Sequence, residues 1–257
     1  MSWNPSLYLK FQSERTQPSI DLAGRIILEN PKDIIDLGCG PGNSTEILSK
    51  RWPDAEISGL DSSATMIEKA RHDFPSIEWI HDDAAKFVPS KKYDLIFSSA
   101  ALQWIPGHKS LLPQLYGWLK PGGVLAVQVP VNNQSALHLA MIKVSRTEKW
   151  YDFTKNCESL IFYHSPDFYY EILSQLTADL NIWETTYYHI MESHMALIEW
   201  YRSTGMRTYL ESLPDDISRK EFESEILEEI LTSFPLQADN KVIYPFRRLF
   251  FLARKKH

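Results

Sequence analysis

Cysteine is scarce in this chain: 257 residues hold two, Cys39 and Cys157. Two thiols cannot build the cross-linked framework of a small secreted domain, and neither has a partner at C-x-x-C spacing. Long apolar runs are absent as well. None approaches the ~20 residues of a membrane span, and Met1-Ser2-Trp3-Asn4-Pro5 lacks the basic stretch and apolar core of a secretory leader. Basic blocks are equally missing. The longest is Arg254-Lys255-Lys256, and the formal net charge is −6, which argues against a nucleic-acid partner held by phosphate neutralisation. No repeat or low-complexity tract interrupts the chain. The expectation is a cytoplasmic globular protein without membrane or nucleic-acid partners. Its length suits one domain with an elaboration, or two small ones.

What is present begins at Ile34-Ile35-Asp36-Leu37-Gly38-Cys39-Gly40-Pro41-Gly42. Three glycines at alternating positions follow a short apolar strand, and Asn43-Ser44-Thr45 offer capping residues before Ile47 and Leu48. Glycine has no Cβ and tolerates positive φ, so a ligand can lie against bare backbone. A turn at the carboxyl end of a first strand is where open α/β sheets bind ligands. The spacing is G-x-G-x-G, not the dinucleotide G-x-G-x-x-G, and no lysine follows as in a triphosphate-binding loop. Asp36, two residues before the first glycine, would repel a pyrophosphate and favour a cationic ligand.

Further along, strand ends keep delivering ligand-type residues. Glu56 to Leu60 reads as a strand ending in Asp61, 19 positions after Gly42, where a carboxylate can reach ribose hydroxyls. Asp61 is also placed to cap the helix Ala64 to His72, which follows Ser62 and carries Met66. A third strand, Ile77 to His81, ends in Asp82-Asp83-Ala84; no third ligand is spaced to make these acids a metal site. A fourth, Tyr93 to Ser98, leads into Ser99-Ala100-Ala101-Leu102-Gln103-Trp104, small residues followed by a hydrogen-bonding amide and a flat apolar wall. Helix Leu111 to Leu119, a turn at Lys120-Pro121-Gly122-Gly123 and strand Val124 to Val129 complete the alternation. Upstream, Tyr8, Phe11 and Arg15 share one helical face, and Pro18 begins a second helix, Ser19 to Leu28. Downstream come helices Leu137 to Trp150 and Ser165 to Leu176, and a sixth strand, Leu180 to His189. Helices His194 to Ser203, Arg207 to Leu213 and Ser218 to Phe234 precede a closing strand, Tyr244 to Ala253. The fold class is α/β: a doubly wound, mostly parallel seven-stranded Rossmann-like sheet with a helical cap. Residues 1–130, 179–190 and 242–257 are assigned to the sheet domain, and 131–178 and 191–241 to the cap.

These motifs resemble the class I S-adenosylmethionine-dependent methyltransferases. Trp3 to Leu9, Leu102-Gln103-Trp104, Trp183, Thr185 to His189, Thr204-Gly205 with Arg207, and Arg248-Leu249-Phe250 carry the resemblance nearly end to end. They point towards members that esterify a small tricarboxylate. The resemblance implies S-adenosyl-L-methionine as methyl donor, S-adenosyl-L-homocysteine as product, a small polycarboxylate as acceptor, and no metal. Carried onto this sequence, the cofactor contacts are Arg15, Asp36, Gly38, Cys39, Gly40, Asp61, Ser62, Met66, Asp83, Ala84, Ser99, Ala100 and Gln103. Asp83 would take the adenine amino group, Met66 the ring face, and Arg15 the cofactor carboxylate. Substrate contacts are Trp104, Tyr187, Tyr188, His189, Arg207 and Arg248. Strand alternation lets only one of Tyr187 and Tyr188 reach a site. A carboxylate acceptor is already ionised at neutral pH, so no general base is expected, and Gln103 and Trp104 serve to position. Another small-molecule acceptor, or a cofactor-binding sensor without catalysis, stand as alternatives.

Overall fold

The computed structural model describes residues 12–257 apart from Ser203, leaving aside the side chains of residues 12–15 and of Ser159. Trp3, Tyr8 and Phe11 lie outside the described residues, as does the side chain of Arg15. After α1 (Gln12–Arg25) the chain alternates: β1 (Asp33–Leu37), α2 (Asn43–Arg51), β2 (Glu56–Asp61), α3 (Ala64–Asp73), β3 (Glu78–His81), β4 (Tyr93–Ser99), α4 (His108–Gly117) and β5 (Leu119–Pro130). β1 pairs in parallel with β2 and β4, β2 with β3, and β4 with β5. Ile34, Ile35, Leu95, Ile96, Phe97, Leu125, Ala126 and Val127 are fully buried, the continuous apolar runs of strands covered on both faces.

Beyond β5 come α5 (Ala136–Ser145), α6 (Tyr151–Thr154), α7 (Pro166–Leu173), β6 (Leu180–Met191), α8 (His194–Arg202), α9 (Arg207–Ser212), α10 (Asp216–Ile230) and β7 (Val242–Arg254). The sheet has seven strands in the order β3-β2-β1-β4-β5-β7-β6. Gly122 N–H donates to the Lys255 carbonyl and Val131 N–H to the Arg247 carbonyl, each at 2.9 Å. β7 therefore runs antiparallel to β5, and the doubly wound, mostly parallel expectation holds. The chain steps outward from β1 to β3, then returns to the other side of β1 with β4. The carboxyl ends of β1 and β4 thus flank a topological switch point, the ligand-binding crevice of open α/β sheets.

Two compact units divide the chain. The sheet unit comprises Arg15–Pro130, Phe162–Thr185 and Leu249–His257; the helical unit comprises, among the described residues, 12–14, Val131–Ile161 and Thr186–Arg248. Residues 162–178, assigned from sequence to the cap, group with the sheet: the Tyr169 ring lies 5.1 Å from Phe251, and its hydroxyl 3.2 Å from His108 Nδ1. The helical unit has its own core, in which Leu137, Met141, Trp200, Tyr209, Phe222 and Ile226 pack with Val242, Tyr244 and Phe246 of β7.

Local departures from the sequence reading have identifiable causes. The helix expected from Leu137 to Trp150 stops at Ser145, where the hydroxyls of Ser145 and Thr147 donate to the carbonyls of Ile142 and Val144 and compete with helical bonds. α1 runs through Pro18 and ends at Arg25; proline forfeits one N–H bond, but its fixed φ is helical. α4 starts at His108, after the left-handed Gly107. Lys120 to Gly123 is a bulge inside β5, not a turn between elements: β4 advances two residues from Tyr93 to Leu95 while β5 advances five, from Leu119 to Val124.

Gly42 closes the β1–α2 turn at φ 98, and a Cβ there would lie 2.8 Å from Trp79 and 2.9 Å from Phe74. Backbone strain and ring displacement together should make Gly42→Ala cost about 2–4 kcal/mol. Urea unfolding reads this directly; an unchanged midpoint would refute the packing account.

Candidate active site

The site begins with one buried charge. Asp36 is fully buried near the end of β1, and its Oδ2 accepts hydrogen bonds from Ser44 Oγ at 2.6 Å and Thr45 Oγ1 at 2.7 Å. These hydroxyls were expected to cap α2; they serve the carboxylate instead, and Gly42 occupies the N-cap without a side-chain bond. Oδ1 has no hydrogen-bond partner. Burial pushes the Asp36 carboxyl up to about 6; the two hydroxyls oppose this and the Asp61 charge adds to it. Around it the backbone turns through Gly38 (φ 70), Gly40 (φ 56) and Gly42. A Cβ on Gly38 would run into Ala101, whereas one on Gly40 would meet nothing within 4 Å. The turn is therefore closed behind Gly38 and open beside Gly40. Cys39 points its side chain into the core of Ile67, Ala70 and Trp79, and burial raises its thiol pKa.

The next strand ends are tied to this turn by hydrogen bonds. Asp61 accepts Gly40 N–H on Oδ2 at 2.9 Å and Ser63 N–H on Oδ1 at 2.8 Å, so it ties the glycine turn to the residue that leads into α3; the N-cap itself is Ser63, without a side-chain bond, and not Asp61 as the sequence suggested. Asp82 N–H donates to the Asp61 carbonyl at 3.2 Å and draws in the end of β3. Asp83 accepts Ala85 N–H and pairs with Lys86 at 3.3 Å, while remaining partly exposed. Ala84 is buried, Met66 half-buried and Ser62 exposed.

At the end of β4, Ala100 adopts φ 56, unusual for a residue with a Cβ. It is held by its N–H to the Gln128 carbonyl at 2.9 Å and by Gln103 Nε2 to its own carbonyl at 2.6 Å. Gln103 is buried, and its Oε1 has no hydrogen-bond partner. Trp104, on the same 3-10 turn (Leu102–Trp104), is 42% exposed. Three residues that the sequence reading missed hold this region. Ser19 Oγ donates to Ser99 Oγ, which donates to Gln128 Oε1. His108 Nε2 donates to the Leu102 carbonyl at 2.8 Å. Gln128 had a signal, as the one polar residue in Val124 to Val129; Ser19 and His108 had none.

The helical unit assembles a second polar group. His189, on β6, is buried against Trp200 (4.9 Å between rings) and Phe246 (5.8 Å), with Tyr187 stacked at 6.4 Å. The Arg248 guanidinium, also buried, lies 4.6 Å from the Phe246 centroid. Tyr188 points to the opposite face of β6 and is 67% exposed, so the structure separates it from His189, as alternation dictates. Arg207 is half-exposed on α9 and pairs with Glu211 at 2.9 Å, one turn on. Gly205 owes its identity to Tyr201, whose ring a Cβ would strike.

Residues 34–123 match the family model described as a methyltransferase domain. The trans-aconitate 2-methyltransferase of Enterobacter sp. (strain 638) is 42% identical over 254 residues, covering 99% of this chain and 98% of that protein. The enzyme of the same description from Escherichia coli (strain 55989 / EAEC) is 42% identical over 253 residues, 98% of each chain. Among solved structures, Haemonchus contortus phosphoethanolamine N-methyltransferase 2, in complex with phosphomonomethylethanolamine and S-adenosylhomocysteine, aligns with TM-score 0.59 at 16% identity, covering 94% of this chain and 53% of that one. The YcgJ protein of Bacillus subtilis aligns with TM-score 0.59 at 12% identity, covering 94% and 99%. These structural likenesses speak to the fold.

Two expectations follow from the turn. Between the ordinary carboxyl value of about 4 and about 6, the folded chain holds a proton on Asp36 that the unfolded chain has released. Asp36 thus contributes stability at low pH that is lost as pH rises through that window. Asp36→Asn should remove this dependence and stabilise the ligand-free protein by about 1–3 kcal/mol at pH 7, while weakening S-adenosylmethionine binding; thermal melts across pH and calorimetry with the cofactor read the two effects. Gly40→Ala should cost stability only about 1 kcal/mol, for its left-handed backbone, yet raise the cofactor Kd more than about tenfold, because the new methyl enters the open space. Unaltered cofactor affinity in Gly40→Ala would mean that this space holds no ligand.

Proposed function

This chain belongs to the trans-aconitate 2-methyltransferase family, and from that membership we propose that it esterifies one carboxylate of trans-aconitate, or of a similar small polycarboxylate, to the monomethyl ester. It is an S-adenosylmethionine-dependent methyltransferase. When bound, S-adenosylmethionine supplies a sulfonium methyl group that a carboxylate oxygen takes by in-line displacement, leaving S-adenosylhomocysteine.

The observation that carries this reading is the Gly40–Asp61 hydrogen bond in the turn that follows the buried Asp36, with open space beside Gly40. The residues fit the cofactor. The unpartnered Oδ1 of Asp36 suits an ammonium donor, and a cation there favours the ionised carboxylate. Each Asp61 oxygen keeps a lone pair beyond its N–H bond, enough for a ribose diol. Asp83, Ala84 and Met66 are assigned the adenine, and Gly38, Cys39, Ser62, Ser99 and Ala100 the close backbone approach. Gln103 Oε1, buried and without a partner, accepts from the bound ligand.

The acceptor needs no deprotonation, since carboxylates are ionised at neutral pH. The work left to the chain is orientation, exclusion of water and neutralisation of an anion with several charges. Arg248 and His189 supply cationic and hydrogen-bonding capacity within an aromatic lining, where charge pairing is stronger than in water, and guanidinium matches carboxylate geometry. Tyr187 is assigned a hydroxyl contact. Arg207, engaged by Glu211 on a helix surface, loses its place in the substrate set.

A labelled-methyl assay against di- and tricarboxylates should give a base-labile ester, with trans-aconitate among the accepted substrates. Cofactor binding without transfer to any polycarboxylate would defeat the proposal. Arg248→Lys should raise KM for trans-aconitate about tenfold to a hundredfold while leaving S-adenosylhomocysteine Kd in place; Arg207→Ala should change KM less than about threefold. The reverse ranking would return Arg207 to the site.

A further inference from the structure

We propose that Asn132 is a substrate-binding residue, its side-chain amide donating to a carboxylate of the acceptor alongside Arg248 and His189. This rests on the polycarboxylate reading above and adds a residue that neither motif nor spacing had marked.

The position follows from strand register. The β5–β7 ladder continues one residue past Pro130, with Val131 N–H on the Arg247 carbonyl at 2.9 Å. Val131 and Arg247 are thus opposite one another, and alternation puts their neighbours Asn132, Phe246 and Arg248 together on the other face. On β7 the burial alternates accordingly, Arg247 exposed between Phe246 and Arg248 at 5% each; Asn132 is 4% exposed and Val131 is covered as well, at 8%. Phe246 is the ring over which the Arg248 guanidinium lies, and the ring that faces His189. Amide, guanidinium and imidazole are in this way gathered around one aromatic side chain.

The amide itself has no structural employment. Asparagine beside a helix start ordinarily caps it, but here Ser135 does so, its Oγ accepting His138 N–H at 3.2 Å. Asn132 uses only its backbone carbonyl, which accepts Ser135 N–H at 2.9 Å. Its Oδ1 is buried with no hydrogen-bond partner, and an unmet buried amide is costly unless something else satisfies it. The two ends of an amide exchange by rotation, and the hydrogen-bond network decides which end lies where. Facing a carboxylate, the inward end is Nδ2, a neutral donor. Such a donor holds one carboxylate in place without adding another positive charge beside Arg248.

Asn132→Asp keeps the shape and sets an anion against the carboxylate; Asn132→Ala removes the amide. Calorimetric binding of trans-aconitate to the S-adenosylhomocysteine-loaded protein, with steady-state kinetics, tests both. Each variant should weaken trans-aconitate binding at least tenfold, Asp more than Ala, and raise KM far more than it lowers kcat. S-adenosylhomocysteine Kd should stay within twofold. The penalty should also be larger for a tricarboxylate than for a dicarboxylate such as fumarate, a difference that loosened packing would not produce. Equal trans-aconitate binding by wild type and a folded variant would overturn the role of Asn132 and leave the functional reading standing. Absence of binding by the wild type to every polycarboxylate would overturn both. Should the Asp variant fail to fold, the Ala variant decides.

Discussion

A carboxylate buried at the end of β1 sets the terms for the rest of the sheet unit. Asp36 cannot stay ionised in that position without donors, and the chain supplies two from the first turn of α2, Ser44 and Thr45. Bringing those hydroxyls back to β1 requires the backbone to reverse within a few residues, which the left-handed glycines permit. The helix N-terminus thereby approaches the acid and adds its favourable dipole end. Gly40 N–H in the same turn is directed to Asp61, so the second strand's acid is fixed by the geometry that satisfies the first. The satisfaction is partial. One oxygen of Asp36 is left over, and its carboxyl titrates near 6. The ligand-free protein carries a destabilising charge that a bound cation would relieve, a familiar trade of stability for binding.

Much of this was legible in the sequence, for reasons that particular residues make clear. The strands of the sheet announce themselves as apolar runs bounded by turn residues, and the alternation with helices fixes a parallel core. Gly38, Gly40 and Asp61 were readable because glycine and acid at that spacing have few other uses. Ser44 and Thr45 were not, because capping a helix and binding a carboxylate draw on the same hydroxyls. The end of α5 was hidden since the apolar pattern runs on to Trp150, while the hydroxyls that stop the helix act through local bonds. Arg207 and Arg248 show the limit most plainly. Sequence gives both the same charge, but only the fold says that one lies buried over Phe246 and the other pairs with Glu211 in solvent. The same holds for Tyr187 and Tyr188, neighbours whose fates are decided by which face of β6 is covered.

The assignment proposed above divides the electrostatic labour. It gives the acids of the strand ends, Asp36, Asp61 and Asp83, to a cofactor that carries an ammonium and a sulfonium, and Arg248, His189 and neutral donors to an acceptor that carries carboxylates. Neither set suits the other's ligand: a tricarboxylate among the acids would be repelled, and a cation beside Arg248 likewise. On that assignment, discrimination between donor and acceptor comes from the sign of charge before any detail of shape. For an acceptor already in its reactive ionisation state, that sorting is also most of the catalytic task. Without a proton to remove, what remains is to replace the water around one carboxylate oxygen by fixed groups that hold its neighbours. An aromatic lining is well suited to this. The Phe246 ring offers its face to the guanidinium, and a ring competes for that charge far less than a carboxylate does, so a carboxylate gains by pairing there.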